Sequence, residues 1–164
     1  MLENLATTDA LTGISNRRKM LELLELEMGE AARYGTPPSL VFFNIDRFKT
    51  INDSLGHEAG DLVLKELALL VRGTIRQTDI FGRFGGEEFL ILARHDELKP
   101  AYDLAEKVRM AIEQHDFAID ETVTCSFGVT LFRADDTPQS FIGRADEAMY
   151  EAKRSGRNRV AARL

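Results

Sequence analysis

Polar residues crowd the stretch between a β-prone run and a helical one: Asn44, Asp46, Lys49, Asn52, Asp53, His57 and Asp61. A second group is Gly85-Gly86-Glu87-Glu88-Phe89, a third is Lys153, Arg157 and Asn158 around Ser155-Gly156, and a fourth is Arg76 with Asp79. Each suits a definite chemistry. Two carboxylates beside a Gly-Gly turn can hold Mg²⁺, a hard cation that takes oxygen ligands and shares them with phosphates, and glycines let a ligand approach the backbone. A charged hairpin tip kept soluble uses the same residues. Lys153 and Arg157 can clamp phosphate, arginine as a planar fork and lysine as a point charge; they would equally complement a helix dipole. Asn52 and Asp61 can cap helices, or read a purine edge through an amide and a carboxylate. His57 has no ligand spacing to His95 or His115, so a structural histidine is expected there.

Helices and strands must position these groups. Residues 16–34 carry Met20, Leu23, Leu24, Met28 and Ala31 on one helical stripe that Gly35, Pro37 and Pro38 stop. Residues 39–45 (SLVFFNI) are a buried strand, followed by a short helix to Leu55. Residues 58–72 repeat apolar positions at helical spacing through Leu64, Leu67, Ala68 and Val71. The runs 80–84 and 88–93, joined through Gly85-Gly86, read as a β-hairpin. Residues 98–114 are helical, with Ala101, Leu104, Ala105, Val108 and Ile112 inward. A strand over 123–132, a helix over 138–154 and a last strand near 159–163 complete the order. Strands mixed with covering helices, one join being a hairpin, predict an α/β (α+β) sandwich with a mixed, mostly antiparallel sheet.

Composition narrows the function. The 164 residues suit one domain; residues 1–8 are expected to be the tail of a linker helix, and the whole a piece of a larger protein. Lysine and arginine number 21 against 27 aspartates and glutamates, a formal charge of −6, which argues against DNA or RNA as partner. The single cysteine, Cys125, excludes an internal disulfide and a cysteine-cluster metal site. No apolar run is long enough to insert into a membrane. A cytoplasmic domain is expected, whether or not the full-length protein is membrane-tethered.

The blocks Asp9-Ala10-Leu11-Thr12-Gly13-Ile14-Ser15-Asn16-Arg17-Arg18, Asp46-Arg47-Phe48-Lys49 with Asn52-Asp53, Gly56-His57 and Gly60-Asp61, the GGEEF turn, and Ala145-Asp146-Glu147-Ala148-Met149-Tyr150 through Lys153 to Gly156-Arg157-Asn158 follow one another in order. Together they resemble the GGDEF family, the bacterial diguanylate cyclases, over nearly the whole chain. The resemblance implies a nucleotide-cyclase or polymerase-palm-like fold with the GGEEF turn on a hairpin. It also implies a reaction: two GTP condense to cyclic di-GMP and two pyrophosphates across a homodimer. By position, Glu87, Glu88 and Lys49 are expected to be catalytic, and Glu87 and Glu88 to bind Mg²⁺ or Mn²⁺, with Ile45 offering its backbone carbonyl. Asn52 and Asp61 are expected to recognise guanine, with Phe48 in the same substrate-binding set. Lys153 and Arg157 would hold the terminal phosphates and Lys49 would add positive charge. Arg76 and Asp79 match the RxxD inhibitory site, where the product restrains catalysis.

One position departs from the family pattern. Where the family usually carries its first metal aspartate, this chain has Asn44. An amide oxygen can still ligate Mg²⁺ but brings no charge. Asp46, at the same strand parity, and Glu88 are candidate replacements. The main expectation is a diguanylate cyclase, its activity reduced by Asn44. The alternative is a catalytically impaired domain that binds GTP or cyclic di-GMP as a regulatory module. A carboxylate at Asp61 suits the N1–H of guanine, which adenine lacks, so an ATP-using cyclase is the least favoured reading.

Overall fold

The computed structural model describes residues 7–94 and 97–164. Most of the expected linker-helix tail therefore lies outside the described residues, as does His95; Thr8 forms an isolated bridge to Ser15. The elements are α1 (Arg17–Tyr34), β1 (Ser39–Ile45), α2 (Phe48–Leu55), α3 (His57–Thr74), β2 (Ile80–Arg83), β3 (Glu88–Ala93), α4 (Leu98–Gln114), β4 (Cys125–Leu131), α5 (Pro138–Arg154) and β5 (Val160–Ala162). The sheet runs β2-β3-β1-β4-β5; every pairing is antiparallel except β4 with β5, which is parallel. The mostly antiparallel α/β sandwich and the GGEEF hairpin of the sequence reading are both present. The fourth strand is shorter than the apolar run 123–132, because its partner β1 ends at Ile45 opposite Cys125.

β1 lies at the centre and is buried along its whole length. Its alternate side chains serve two cores. Val41, Phe43 and Ile45 pack with Val63, Leu67, Val108 and Ile112 of α3 and α4. Leu40 and Phe42 pack with Met20 and Leu24 of α1 and with Phe141, Ala145 and Met149 of α5. Phe43 stacks on Phe127 at 4.7 Å and on Phe89 at 5.3 Å, tying the three middle strands together; burying each such ring contributes roughly 2–3 kcal/mol. Leu23 and Leu104, expected inward, are only partly buried at the edges of their helix stripes.

Two features set the height of α5 over the sheet. Gly128 in β4 lies so close to the α5 backbone that a Cβ there would strike Ala145 O and Met149 N. At its start, α5 carries a capping box between Thr137 and Ser140, with Pro138 in the first turn. Arg144 then donates to Thr130 Oγ1 at 2.7 Å and Leu131 O at 2.6 Å, and pairs with Asp136 at 2.7 Å, side chains 9% and 4% exposed. With the helix anchored this way, its last turn delivers Lys153 to the lower end of β1.

Candidate active site

The lower end of β1 and the β2–β3 turn are stitched together. Ile45 N–H donates to Glu87 O at 3.2 Å, and Asn44 stands opposite Glu88 on β3 and Ser126 on β4. Phe84 N–H and Gly85 N–H both donate to Glu88 O, at 2.7 and 3.2 Å, closing the turn tightly. Arg83 holds that turn from outside. Its guanidinium donates to Gly85 O at 3.2 Å and to Gly86 O at 3.1 and 2.7 Å, while Nη1 meets Asp9 at 3.2 Å. Burial pushes the Asp9 carboxyl up, but the hydroxyl and N–H of Thr12 and the charge of Arg83 outweigh it and leave Asp9 below the ordinary range. Sequence reasoning missed Arg83, although a basic residue two before the glycines was visible.

Glu87 is half-buried beside Glu88 and within the field of Lys153. Burial raises its pKa, Lys153 opposes that rise, and the neighbouring Glu88 charge adds to it. The expected grouping of Glu87, Glu88, Ile45, Asn44 and Lys153 is thus brought to one place. Its donor set, two carboxylates, a carbonyl and an amide oxygen, is made of hard oxygen ligands and fits Mg²⁺ or Mn²⁺. Burial is the main reason Glu87 is raised, and the smaller repulsion from Glu88 is what a cation would relieve. Among the described residues no group of three acidic, histidine or cysteine side chains converges as a metal cluster. Asn44, directly opposite Glu88 on the neighbouring strand, contributes an amide and no charge.

Asp46, a candidate replacement for the missing charge, is engaged by three neutral donors. Its carboxylate is buried and accepts from Ser126 Oγ at 2.6 Å, Thr124 Oγ1 at 2.8 Å and Asn158 N–H at 3.1 Å. The strand parity that suggested a metal role is right, but its oxygens hold the site's walls.

Beside it lies a cleft of about 380 Å³ lined by Arg47, Thr50, Thr122, Thr124, Gly156 and Arg157, among others. Arg47 has a left-handed backbone, φ 54°, and offers no side-chain cap to α2. The first-turn N–H groups of α2 therefore lack a cap, and such groups favour anions. This backbone feature carries no sequence signal, because arginine rarely adopts that conformation. Lys49, expected to add charge here, is exposed on α2 and does not line the cleft; Arg47 does.

Of the residues expected to read guanine, Asn52 and Phe48 come together between α2 and α3. Gly60 leaves room for the Asn52 amide, which a Cβ would strike, and Phe48 Cζ borders the same spot at 3.2 Å from it. Asp61 follows on the exposed first turns of α3. His57 is exposed and makes no hydrogen bond to a described residue, so it is not the structural histidine expected.

Arg76 and Asp79 sit apart from these groups, at the β2 edge. Asp79 Oδ2 accepts Arg76 N–H at 2.9 Å and leaves the guanidinium exposed. They border a cavity of about 650 Å³ together with Leu23, Ile80 and Phe81, and with Arg72, a second cation that the motif did not reveal.

An antiparallel-rich sheet flanked by helices on both faces, with an acidic hairpin set against a cationic helix end, defines the nucleotide-cyclase palm-like class. The chain belongs to the diguanylate cyclase GGDEF-domain family, whose pattern matches residues 6–159. It is 42% identical over 158 residues to the diguanylate cyclase DgcP of Pseudomonas aeruginosa, covering 94% of this chain but only 24% of that protein. The chain thus spans about a quarter of that relative's length. Among solved structures it is similar to the active GGEEF domain of a diguanylate cyclase from Vibrio cholerae, with TM-score 0.85 and 37% identity, covering 91% of this chain and 97% of that one. It is also similar to the GGDEF domain of DgcB from Caulobacter crescentus in complex with c-di-GMP, with TM-score 0.89 and 32% identity, covering 96% and 95%. No helix among the described residues is long and apolar enough to cross a membrane.

Proposed function

We propose that this domain condenses two GTP into cyclic di-GMP, each of two domains presenting one nucleotide to the other. The observation that carries this reading is the convergence of Glu87, Glu88 and Lys153 at the foot of β1. Asn52 and Asp61 read the guanine edge, with Phe48 beside them. Lys153 and Arg157 hold the distal phosphates, aided by the uncapped start of α2 and by the general positive charge of Lys49. Glu87 accepts the proton of the 3′-hydroxyl. The freed O3′ bonds to the α-phosphorus of the facing GTP, the bond from that phosphorus to the bridging oxygen breaks, and pyrophosphate departs; the same step with the roles of the two nucleotides exchanged closes the ring and releases the second pyrophosphate. Such transfer relies on alignment and charge neutralisation. Glu87, Glu88, the Ile45 carbonyl and the Asn44 amide would hold Mg²⁺ or Mn²⁺, which when bound neutralises phosphate charge and acidifies the hydroxyl.

Arg76 and Asp79 form the product-inhibition site, with Arg76 on phosphate and Asp79 on the guanine edge. The similarity to a c-di-GMP complex supports the product as a ligand. A second reading rests on Asn44: with one carboxylate short, the domain binds nucleotide without turning it over. Product formation from GTP with Mg²⁺ or Mn²⁺, run beside Asn44→Asp, separates the two. Cyclic di-GMP from the parent supports the cyclase. None from the parent and abundant product from the variant leaves the binding module. No nucleotide binding by either removes both.

A further inference from the structure

We infer that Asn158 and Arg109 are positioning residues that hold Arg157 ready for the distal phosphates; this rests on the GTP-binding reading above. Arg157 and Asn158 are consecutive non-glycine residues with left-handed backbones, φ 65° and 45°. Asparagine adopts that region readily, but arginine does not, and at Arg157 it persists only where surrounding contacts over-determine it. Those contacts converge on Asn158. Its N–H donates to the buried Asp46, its Oδ1 accepts from Arg109 Nη1 at 3.0 Å, and its Nδ2 donates to Glu113. Arg109 is itself fixed, donating from Nε and Nη2 to Glu106 at 2.6 and 3.2 Å, with its side chain 16% exposed. A chain of contacts therefore runs from α4 through Asn158 to the floor of the β1 end.

What this clamp presents is the neighbouring side chain. Arg157 is exposed, lines the cleft beside Arg47 and Thr50, and its guanidinium pairs with no described residue. Its N–H is spent on Ala152 O and its carbonyl on Arg159 Nε, so both flanks of the backbone are fixed while the charged head is free. Neither Arg109 nor Asn158 needs to touch nucleotide to matter: they remove the freedom that a guanidinium on a loose loop would have to lose on binding.

The test compares GTP and GMP affinity by calorimetry in the presence of Ca²⁺, with steady-state kinetics in Mg²⁺, for the parent, Arg157→Ala, Asn158→Gly, Arg109→Ala and Arg109→Lys. Glycine adopts the φ of position 158 without strain, so Asn158→Gly removes the side-chain ties without forcing the backbone, and a melting curve checks that the variant is folded at the assay temperature. Asn158→Gly and Arg109→Ala are expected to weaken GTP by up to roughly tenfold, about what ordering one long, rotamer-rich side chain on binding costs, and to leave GMP unchanged. KM should rise with kcat within about twofold, the pattern of lost uniform binding, and Arg109→Lys should recover part of the loss. A parent that prefers GTP, an Arg157→Ala that loses the preference, and Asn158→Gly and Arg109→Ala that keep it would overturn this inference alone. A parent with no preference for GTP over GMP would overturn the GTP-binding reading and the inference with it.

Discussion

Replacing Asn44 by aspartate puts a third carboxylate directly across the ladder from Glu88. Opposed side chains in an antiparallel pair have Cβ atoms about 5 Å apart, so the new charge sits roughly 6 Å from the Glu88 carboxylate. At an effective dielectric constant of about 20, two unit charges at that distance repel by about 3 kcal/mol. Glu88 is only partly buried, and solvent screening reduces this to about 1 kcal/mol. In chelator, Asn44→Asp should therefore melt about 2–4 °C below the parent, the shift expected per kcal/mol at this chain length. A divalent cation reverses the sign, because the same charge that repels Glu88 attracts the ion. Mn²⁺ or Mg²⁺ should bind the variant at least about tenfold more tightly, or about 1.4 kcal/mol. Thermal melts across a metal titration, without nucleotide, measure both effects. A variant that is no less stable in chelator, or that titrates at the same midpoint as the parent, would refute the assignment of Asn44 to the metal site.

Glu87 acts in its charged form and its pKa is raised, so its contribution is lost as pH falls through that raised value, at a pH where an ordinary carboxylate is still ionised. Product formation should decline on the acid side accordingly, and Glu87→Gln should abolish cyclisation while leaving the melting temperature of the fold intact; unchanged turnover removes Glu87 from its role. Arg76→Ala should leave initial rates unaltered and weaken inhibition by added cyclic di-GMP by about tenfold or more, the worth of a charge-assisted hydrogen bond; inhibition at the same concentration refutes the inhibitory assignment. Asp136 is held at about 2 against an ordinary 3.8: burial pushes it up, and its hydrogen bonds to Arg144, the Arg133 N–H and Ser140 outweigh that. Its folded pKa is depressed, so it contributes about 2 kcal/mol above pH 4, which is lost as pH falls towards 2. Asp136→Asn should unfold at lower urea at neutral pH by at least that amount, since Arg144 keeps a buried charge; the two curves should converge near pH 2, and a constant gap across that range counts against the pairing.

Much of the architecture was legible because it follows from local rules. The stripe Met20, Leu24, Met28 and Ala31 announced α1, the apolar run 39–45 announced β1 with its exact bounds, and Gly85-Gly86 between β-prone runs announced the hairpin. The family resemblance, not spacing, assigned Glu87 and Lys153 to one site, and the structure sets Glu87 within the field of Lys153. Less legible were the groups whose roles depend on partners distant along the chain. Arg83 supports the glycine carbonyls only because Asp9 reaches it from the start of the chain. Arg72 shares a cavity with Arg76 only because α1 and β2 complete its walls.

By itself the sequence determined the order of elements, the family, and the absence of a carboxylate at position 44, since periodicity, turn chemistry and residue identity are local quantities. Only the tertiary structure decided what Asp46 does. Parity pointed it at the metal site, yet Ser126, Thr124 and Asn158, drawn in from a neighbouring strand and a distant loop, occupy its oxygens. Which donors engage that carboxylate depends on the packing of residues 78 to 112 positions away in the chain, a distance over which no local pattern extends.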